Sequence, residues 1–156
     1  WSKLIMVIRD INKAIPSIML DNTFAEESYD YRRIWIIKNG GIDLDCLENN
    51  FQRAVYSYLQ WIKMIESMNP DLIFRIEFDT EKLYDFVSTT LGKELQDINN
   101  LDLTPVNANK KYKGVRRENP RVSKSDWENL PKQICNDVNK FCKKYGYKSA
   151  CLNLSD

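Results

Sequence analysis

Five consecutive apolar residues, Leu4-Ile5-Met6-Val7-Ile8, are followed at once by Arg9-Asp10. A run this short and without polar alternation predicts a strand buried on both faces, as in a parallel sheet. A chain seldom starts one or two residues before its central strand. The residues therefore read as one domain, 1–156, that begins partway into a longer unit. The first residue, Trp1, has no Met before it and points the same way.

The remaining pattern predicts helices around that strand. Ile11 to Leu20 reads as a short helix, with Pro16 tolerated only in a first turn or at a kink. Asp21 to Asp43 is mixed, ends in the turn signal Asn39-Gly40-Gly41, and leans to helix at Ile34-Trp35-Ile36-Ile37. A helix is expected from Asp45 to Met68: Leu44, Leu47, Phe51, Val55, Tyr58, Leu59, Ile62 and Ile65 recur at three- and four-residue steps and mark one apolar face. Asn69-Pro70-Asp71 ends that helix. Leu72 to Phe78 predicts a second strand. Asp79 or Thr80 then caps a helix closed by Gly92. Residues 96–124 show no sustained period. Ser125-Asp126-Trp127-Glu128 can form a capping box, and a last helix runs from about Pro131 to Tyr145, stopped by Gly146. The expected fold is α/β, a parallel sheet flanked by helices. A purely helical scaffold is the competing architecture; it fails if Leu4–Ile8 and Ile73–Phe78 are neighbouring strands.

Composition narrows the function. With 43% hydrophobic and 12% aromatic residues in 156, the chain can bury a core. The net charge of +1 hides an asymmetry. Residues 1–107 hold 11 basic and 17 acidic side chains; residues 108–156 hold 12 basic and 5 acidic. That excludes a surface coated in positive charge and favours a local anion site in the C-terminal part. The basic segment 110–121 has a single aromatic, Tyr112, and no stacking platform, so nucleic acid is not an expected partner. No apolar stretch approaches the roughly 20 residues of a membrane helix. There is no His, which removes the commonest general base and metal ligand. The four Cys, at 46, 135, 142 and 151, form no CxxC pair, so no metal is expected. Cys135 and Cys142 lie two helical turns apart, too far to bridge each other. Cysteine usage and the missing secretory signal favour the cytoplasm.

The chemistry-bearing segment is Lys3 to Ser17. It places Arg9 at the carboxyl end of a buried strand and the Ser17 hydroxyl eight residues on, in the next helix. Ligands of open α/β sheets bind at that end of the strands. A guanidinium and a hydroxyl there can hold a phosphate. The plain alternative is an Arg paired with a neighbouring acid and a Ser bonded back to its own helix. Around a helix start, Asp43, Asp45 and Glu48 read as capping rather than metal binding. Glu26, Glu27 and Asp30 read as a solvated loop. Trp35, Trp61 and Tyr58 are either core or the lining of an acceptor pocket.

The strand-Arg-Asp-(x6)-Ser pattern resembles the 3′-phosphate-binding motif of sulfotransferases, the P-loop-like enzymes that use 3′-phosphoadenosine 5′-phosphosulfate (PAPS). Tyr56-Ser57-Tyr58-Leu59-Gln60-Trp61 is similar to that family's aromatic helix. Ile73 to Phe78, with Leu83 to Val87 and Leu91-Gly92, resembles its Arg-Tyr-Glu-Asp-Leu strand and the helix after it. Trp127 to Tyr147 resembles the terminal helix of its bacterial-type members. The resemblance implies that Arg9 and Ser17 hold the donor's 3′-phosphate. It implies that Lys113 and Gly114 close over it in a basic loop; Tyr112 stands where the family has an Arg, and Lys111, Arg116 or Arg117 is available to substitute for it. Arg75 and Glu77 match a strand that is structural in the family. The implied activity is sulfuryl transfer from PAPS to a hydroxyl or amine of a small-molecule or carbohydrate acceptor. The family's phosphosulfate loop and catalytic base match nothing in these residues, so no catalytic residue is assigned. The alternative is a non-catalytic module that keeps the fold and a nucleotide-phosphate site, or only a protein-interaction role.

Overall fold

The computed structural model describes residues 3–20, 26–92, 111–112, 115–116, 120–149 and 151. Strand β1 (Ile5–Ile8) pairs in parallel with β2 (Leu72–Arg75), with Ile5 opposite Leu72 and Ile8 opposite Arg75. Between them run α1 (Ile11–Leu20), α2 (Glu26–Lys38), a single 3-10 turn (Leu44–Cys46) and α3 (Asn50–Ser67). After β2 come α4 (Thr80–Leu91), the antiparallel pair β3 (Lys111–Tyr112) and β4 (Val115–Arg116), α5 (Lys124–Glu128) and α6 (Lys132–Tyr145). The described chain is thus α/β and mostly helical, with a two-stranded parallel sheet. Its neighbouring parallel strands exclude the purely helical scaffold. No helix is long and apolar enough to cross a membrane among the described residues.

The long amphipathic helix lies at the centre. α3 contacts α1, α2, α6 and β1. Its face of Phe51, Ala54, Val55, Leu59 and Ile62 is buried against Ile11 and Ile15 of α1, Ile36 of α2, and Val138 and Phe141 of α6. The helix starts later than the sequence pattern predicts. Leu44 opens the 3-10 turn before it, Leu47 is the extended residue that closes that turn, and Asn49 is the cap of α3, accepting from the Gln52 N–H at 3.0 Å. Gly92 and Gly146 both stop their helices as expected, in left-handed conformations at φ 62° and 74°.

Four local expectations are corrected. β1 is buried on one face only. Met6 and Ile8 are buried in the core, but Val7 is 51% exposed and lines an open cleft with Ile18, Trp35 and Trp61. The second strand stops at Arg75 rather than Phe78. There the Asp79 carboxylate folds back onto the Arg75 N–H at 2.9 Å and turns the chain. The capping box is two residues early. Ser123 is the cap and Asp126 the reciprocating residue, while Ser125 is already helical. Helix α2 spans 13 residues where the sequence signal covered four. It has no sustained apolar stripe, and among its described side chains Ile36 alone is completely buried. Pro16 lies in the second turn of α1, where it cannot donate to the Asn12 carbonyl, and the helix continues to Leu20.

Candidate functional site

The register that pairs Ile8 with Arg75 also sets residues 9–10 beside 76–77 at the carboxyl end of the sheet. Tyr58, reaching over from α3, fixes the end of β1. Its hydroxyl donates to the Arg9 carbonyl at 2.8 Å and accepts from the Arg9 N–H at 3.1 Å. Burial pushes this phenol up to about 12. Asp10 then starts α1. Its carboxylate accepts from the Asn12 N–H at 2.9 Å, and its carbonyl accepts from Lys13 and Ala14.

Glu77 is the hub of this edge. Its carboxylate accepts from the Asp10 N–H at 3.2 Å and from the Tyr147 hydroxyl at 2.9 Å. Arg9 Nε and Lys13 Nζ face the same Oε1 at 3.8 and 3.9 Å. These are long pairs, and both cations stay accessible, with 44% and 56% of their side chains exposed. Glu77 is 14% exposed. It therefore holds the cations in place without sealing them from solvent. Burial and the neighbouring Glu77 carboxylate raise the Tyr147 phenol, so it remains a hydroxyl donor.

Beside it, Arg75 makes a two-pronged pair with Asp79, Nε–Oδ2 2.8 Å and Nη2–Oδ1 2.7 Å, and donates to the Tyr145 carbonyl. That guanidinium, together with the Arg75 N–H, holds the Asp79 carboxyl down to about 2. Because the folded value lies below the ordinary 3.8, the resulting stability is present above that value and is lost as pH falls from about 4 toward 2. Urea midpoints should therefore drop more steeply between pH 5 and roughly pH 2.5 in the wild type than in Asp79→Asn. Parallel curves would mean that the pair contributes nothing.

Of the residues singled out in the sequence, Arg9 lies at the strand end and Ser17 on α1. Lys113 and Gly114 lie outside the described residues. Arg116 is described only as backbone, opposite Lys111 in the β3–β4 pair. The Arg9–Glu77 proximity matches the plain alternative of a paired Arg, though at ion-pair distances that leave the guanidinium reachable. Lys13 was missed. Its signal was present: it follows Arg9 by four residues, precedes Ser17 by four, and so shares a helical face with Ser17. Glu77 was read as purely structural, and nothing in its spacing marks it as the hub.

Of the acidic residues near the 3-10 turn, Asp43 caps it, Asp45 pairs with Arg33, and the cap of α3 is Asn49. Asp43 accepts from the Asp45 N–H at 3.0 Å and is gripped by Arg33 through two bonds, which hold its carboxyl down to about 2. Cys135, Cys142 and Cys151 are buried free thiols, and Cys46 is exposed. Glu26, Glu27 and Asp30 begin α2 rather than form a loop; the side chains of Glu26 and Glu27 lie outside the described residues, and Asp30 is exposed.

Trp35, Tyr58 and Trp61 come together with Val7, Ile18 and Arg32 around a cleft of about 530 Å³ between β1, α1, α2 and α3. The two indoles lie 5.5 Å apart at 47°. Tyr58 belongs to both places: its ring lines the cleft and its hydroxyl holds Arg9. No family model, no curated protein and no solved structure matches this chain.

Proposed function

We propose that the carboxyl edge of β1 and β2 binds the 3′-phosphate of PAPS, as part of a sulfotransferase-type domain that passes the sulfuryl group to a hydroxyl or amine. The observation that carries this reading is the accessible Arg9–Lys13 cation pair at the end of a parallel strand, with Ser17 one turn further along the same helix. A phosphate bridging the two cations would gain charge-assisted hydrogen bonds. The Tyr58 clamp sets the Arg9 backbone before ligand arrives, which lowers the ordering cost of binding. Lys113, Gly114 and Arg116 would cover the phosphate from the basic segment. A clamp of this kind positions a nucleotide and touches none of the reacting atoms.

The test is the melting temperature with adenosine 3′,5′-bisphosphate. At roughly a hundred times Kd the ligand adds about 2.7 kcal/mol. That raises the midpoint by several degrees, at about 2–4 °C per kcal/mol for a chain of this size. Arg9→Ala should abolish the shift while melting as a folded protein on its own. An unchanged midpoint at millimolar ligand, or the same shift in Arg9→Ala, overturns the assignment.

A second reading, a module that binds nucleotide phosphate or another protein without catalysis, is favoured by one feature. These residues contain no His and no glycine-rich loop carrying Lys or Arg. Bisphosphate binding without PAPS turnover by the full-length protein would select it.

A further inference from the structure

The chain after α6 folds back along it. Gly146, left-handed at φ 74°, reverses its direction. The Tyr147 N–H then donates to the Cys142 carbonyl at 2.9 Å. Two residues on, the Ser149 hydroxyl donates to the side-chain carbonyl of Asn139 and accepts from the Cys151 N–H at 3.1 Å. At Cys151 the segment meets Cys135, whose thiol donates to the Cys151 carbonyl at 3.9 Å. Two residues of extended chain rise about 6.6 Å and one helical turn about 5.4 Å, so a backfold of this kind meets a helix turn by turn. Residues 147, 149 and 151 accordingly meet 142, 139 and 135 on one face of α6. Cys135 and Cys151 are free thiols 16 positions apart, and they are 1% and 4% exposed. Burial, and then a hydrogen bond with the Cys135 thiol, raises the Cys151 thiol. Cys142 sits lower on the same face, beside Ser149.

We propose that Cys135 and Cys151 form a disulfide when a small-molecule disulfide is present as oxidant, locking the segment after Gly146 onto α6. The chemistry is thiol–disulfide exchange. One cysteine thiolate attacks oxidised glutathione and forms a mixed disulfide, and the first glutathione leaves as a thiolate that takes up a proton. The second cysteine thiolate attacks the protein sulfur of that mixed disulfide and releases the second glutathione. Two protein thiols are oxidised and one glutathione disulfide is reduced to two thiols. A thiol buried under the segment is a poor nucleophile, so exchange starts when the segment lifts. The same segment supplies the Tyr147 hydroxyl to Glu77 and the Lys148 carbonyl to the Asn12 side chain, so the lock would hold both bonds in place. No step of this inference uses Arg9, Lys13 or Ser17, and it stands or falls apart from the donor-phosphate reading.

The test is refolding of the reduced, unfolded full chain in a buffer of oxidised and reduced glutathione, where access to the thiols does not limit the result. Free thiols are then trapped by alkylation, and the peptides are mapped by mass spectrometry. A linked peptide joining Cys135 to Cys151 is expected, with Cys142 alkylated. The melting midpoint of the oxidised chain should exceed that of the reduced chain by about 5 °C or more, and added reductant should remove the difference. Cys151→Ser should lose both the linkage and the redox-dependent shift. Cys142→Ala and Cys46→Ser should keep both, and each variant is compared with its own reduced form, so a loss of packing does not enter the shift. The proposal fails if the refolded chain carries four free thiols or only mixed disulfides with glutathione. It fails equally if the bond joins Cys142 to either neighbour. A Cys135–Cys151 bond that leaves the midpoint unchanged overturns the lock.

Discussion

Phe51→Ala should lower stability by about 3–5 kcal/mol, the range for removing a buried aromatic ring. Phe51 is 5% exposed in the first turn of α3 and meets Trp127 edge to face, with centroids 5.0 Å apart at 89°. The ring pair adds about 0.5–1.5 kcal/mol beyond area burial, so the cost falls in the upper part of that range. Against a total of roughly 5–15 kcal/mol for a domain, this is a large fraction. The contact ties α5 to the central helix, and Gln52 supports it by donating to the Asn129 carbonyl across the same junction. In chemical denaturation the midpoint should fall without a change in slope. Phe78→Ala is the control: that ring is 58% exposed, and its loss should cost less than about 1 kcal/mol. Equal costs for the two variants would mean that the α3–α5 junction is not part of the cooperative core.

The apolar patterns that revealed the fold in sequence were those created by burial. Met6 and Ile8 of β1 and the periodic face of α3 announced themselves because water had to be excluded from them, whereas Val7 is apolar yet half-exposed. Gly92 and Gly146 marked helix ends because the backbone there turns left-handed. What stayed hidden depends on tertiary polar bonds. β2 ends at Arg75 because Asp79 folds back on it, which no alternation of Ile76 and Phe78 discloses. α2 has no apolar stripe to find, since one side lines a cleft and the other meets solvent. At the candidate site, Arg9 and Ser17 were legible as residue types at a spacing. Glu77 was not, because its place beside Asp10 and Tyr147 exists only once two parallel strands are in register. The aromatic residues Trp35, Tyr58 and Trp61 were found, but the choice between core and pocket needed the cleft itself.

Glu77→Gln should separate the two uses of that carboxylate. The substitution keeps the shape and leaves an amide oxygen to accept from the Tyr147 hydroxyl and the Asp10 N–H. It removes the negative charge that Arg9 and Lys13 face at 3.8 and 3.9 Å. Stability should fall by about 1–2 kcal/mol, because hydrogen bonds to a charged acceptor become neutral ones and two cations lose their counter-charge. Phosphate affinity should move the other way. The resident carboxylate repels an incoming phosphate from within the cation pair, and unit charges near 4 Å interact by about 4 kcal/mol at an effective dielectric of 20. Solvent screening of these half-exposed groups reduces that, so a gain of about tenfold in adenosine 3′,5′-bisphosphate affinity is expected, equal to about 1.4 kcal/mol. Calorimetric titration at low and high salt measures it, and the gain should shrink as salt rises. Glu77→Ala would confound the result by opening a void beneath Tyr147. A Gln variant that is less stable yet binds the bisphosphate more tightly places the phosphate between Arg9 and Lys13. A variant that loses stability with no gain in affinity makes the cluster a strand-end staple and moves the search for the anion site to the basic segment.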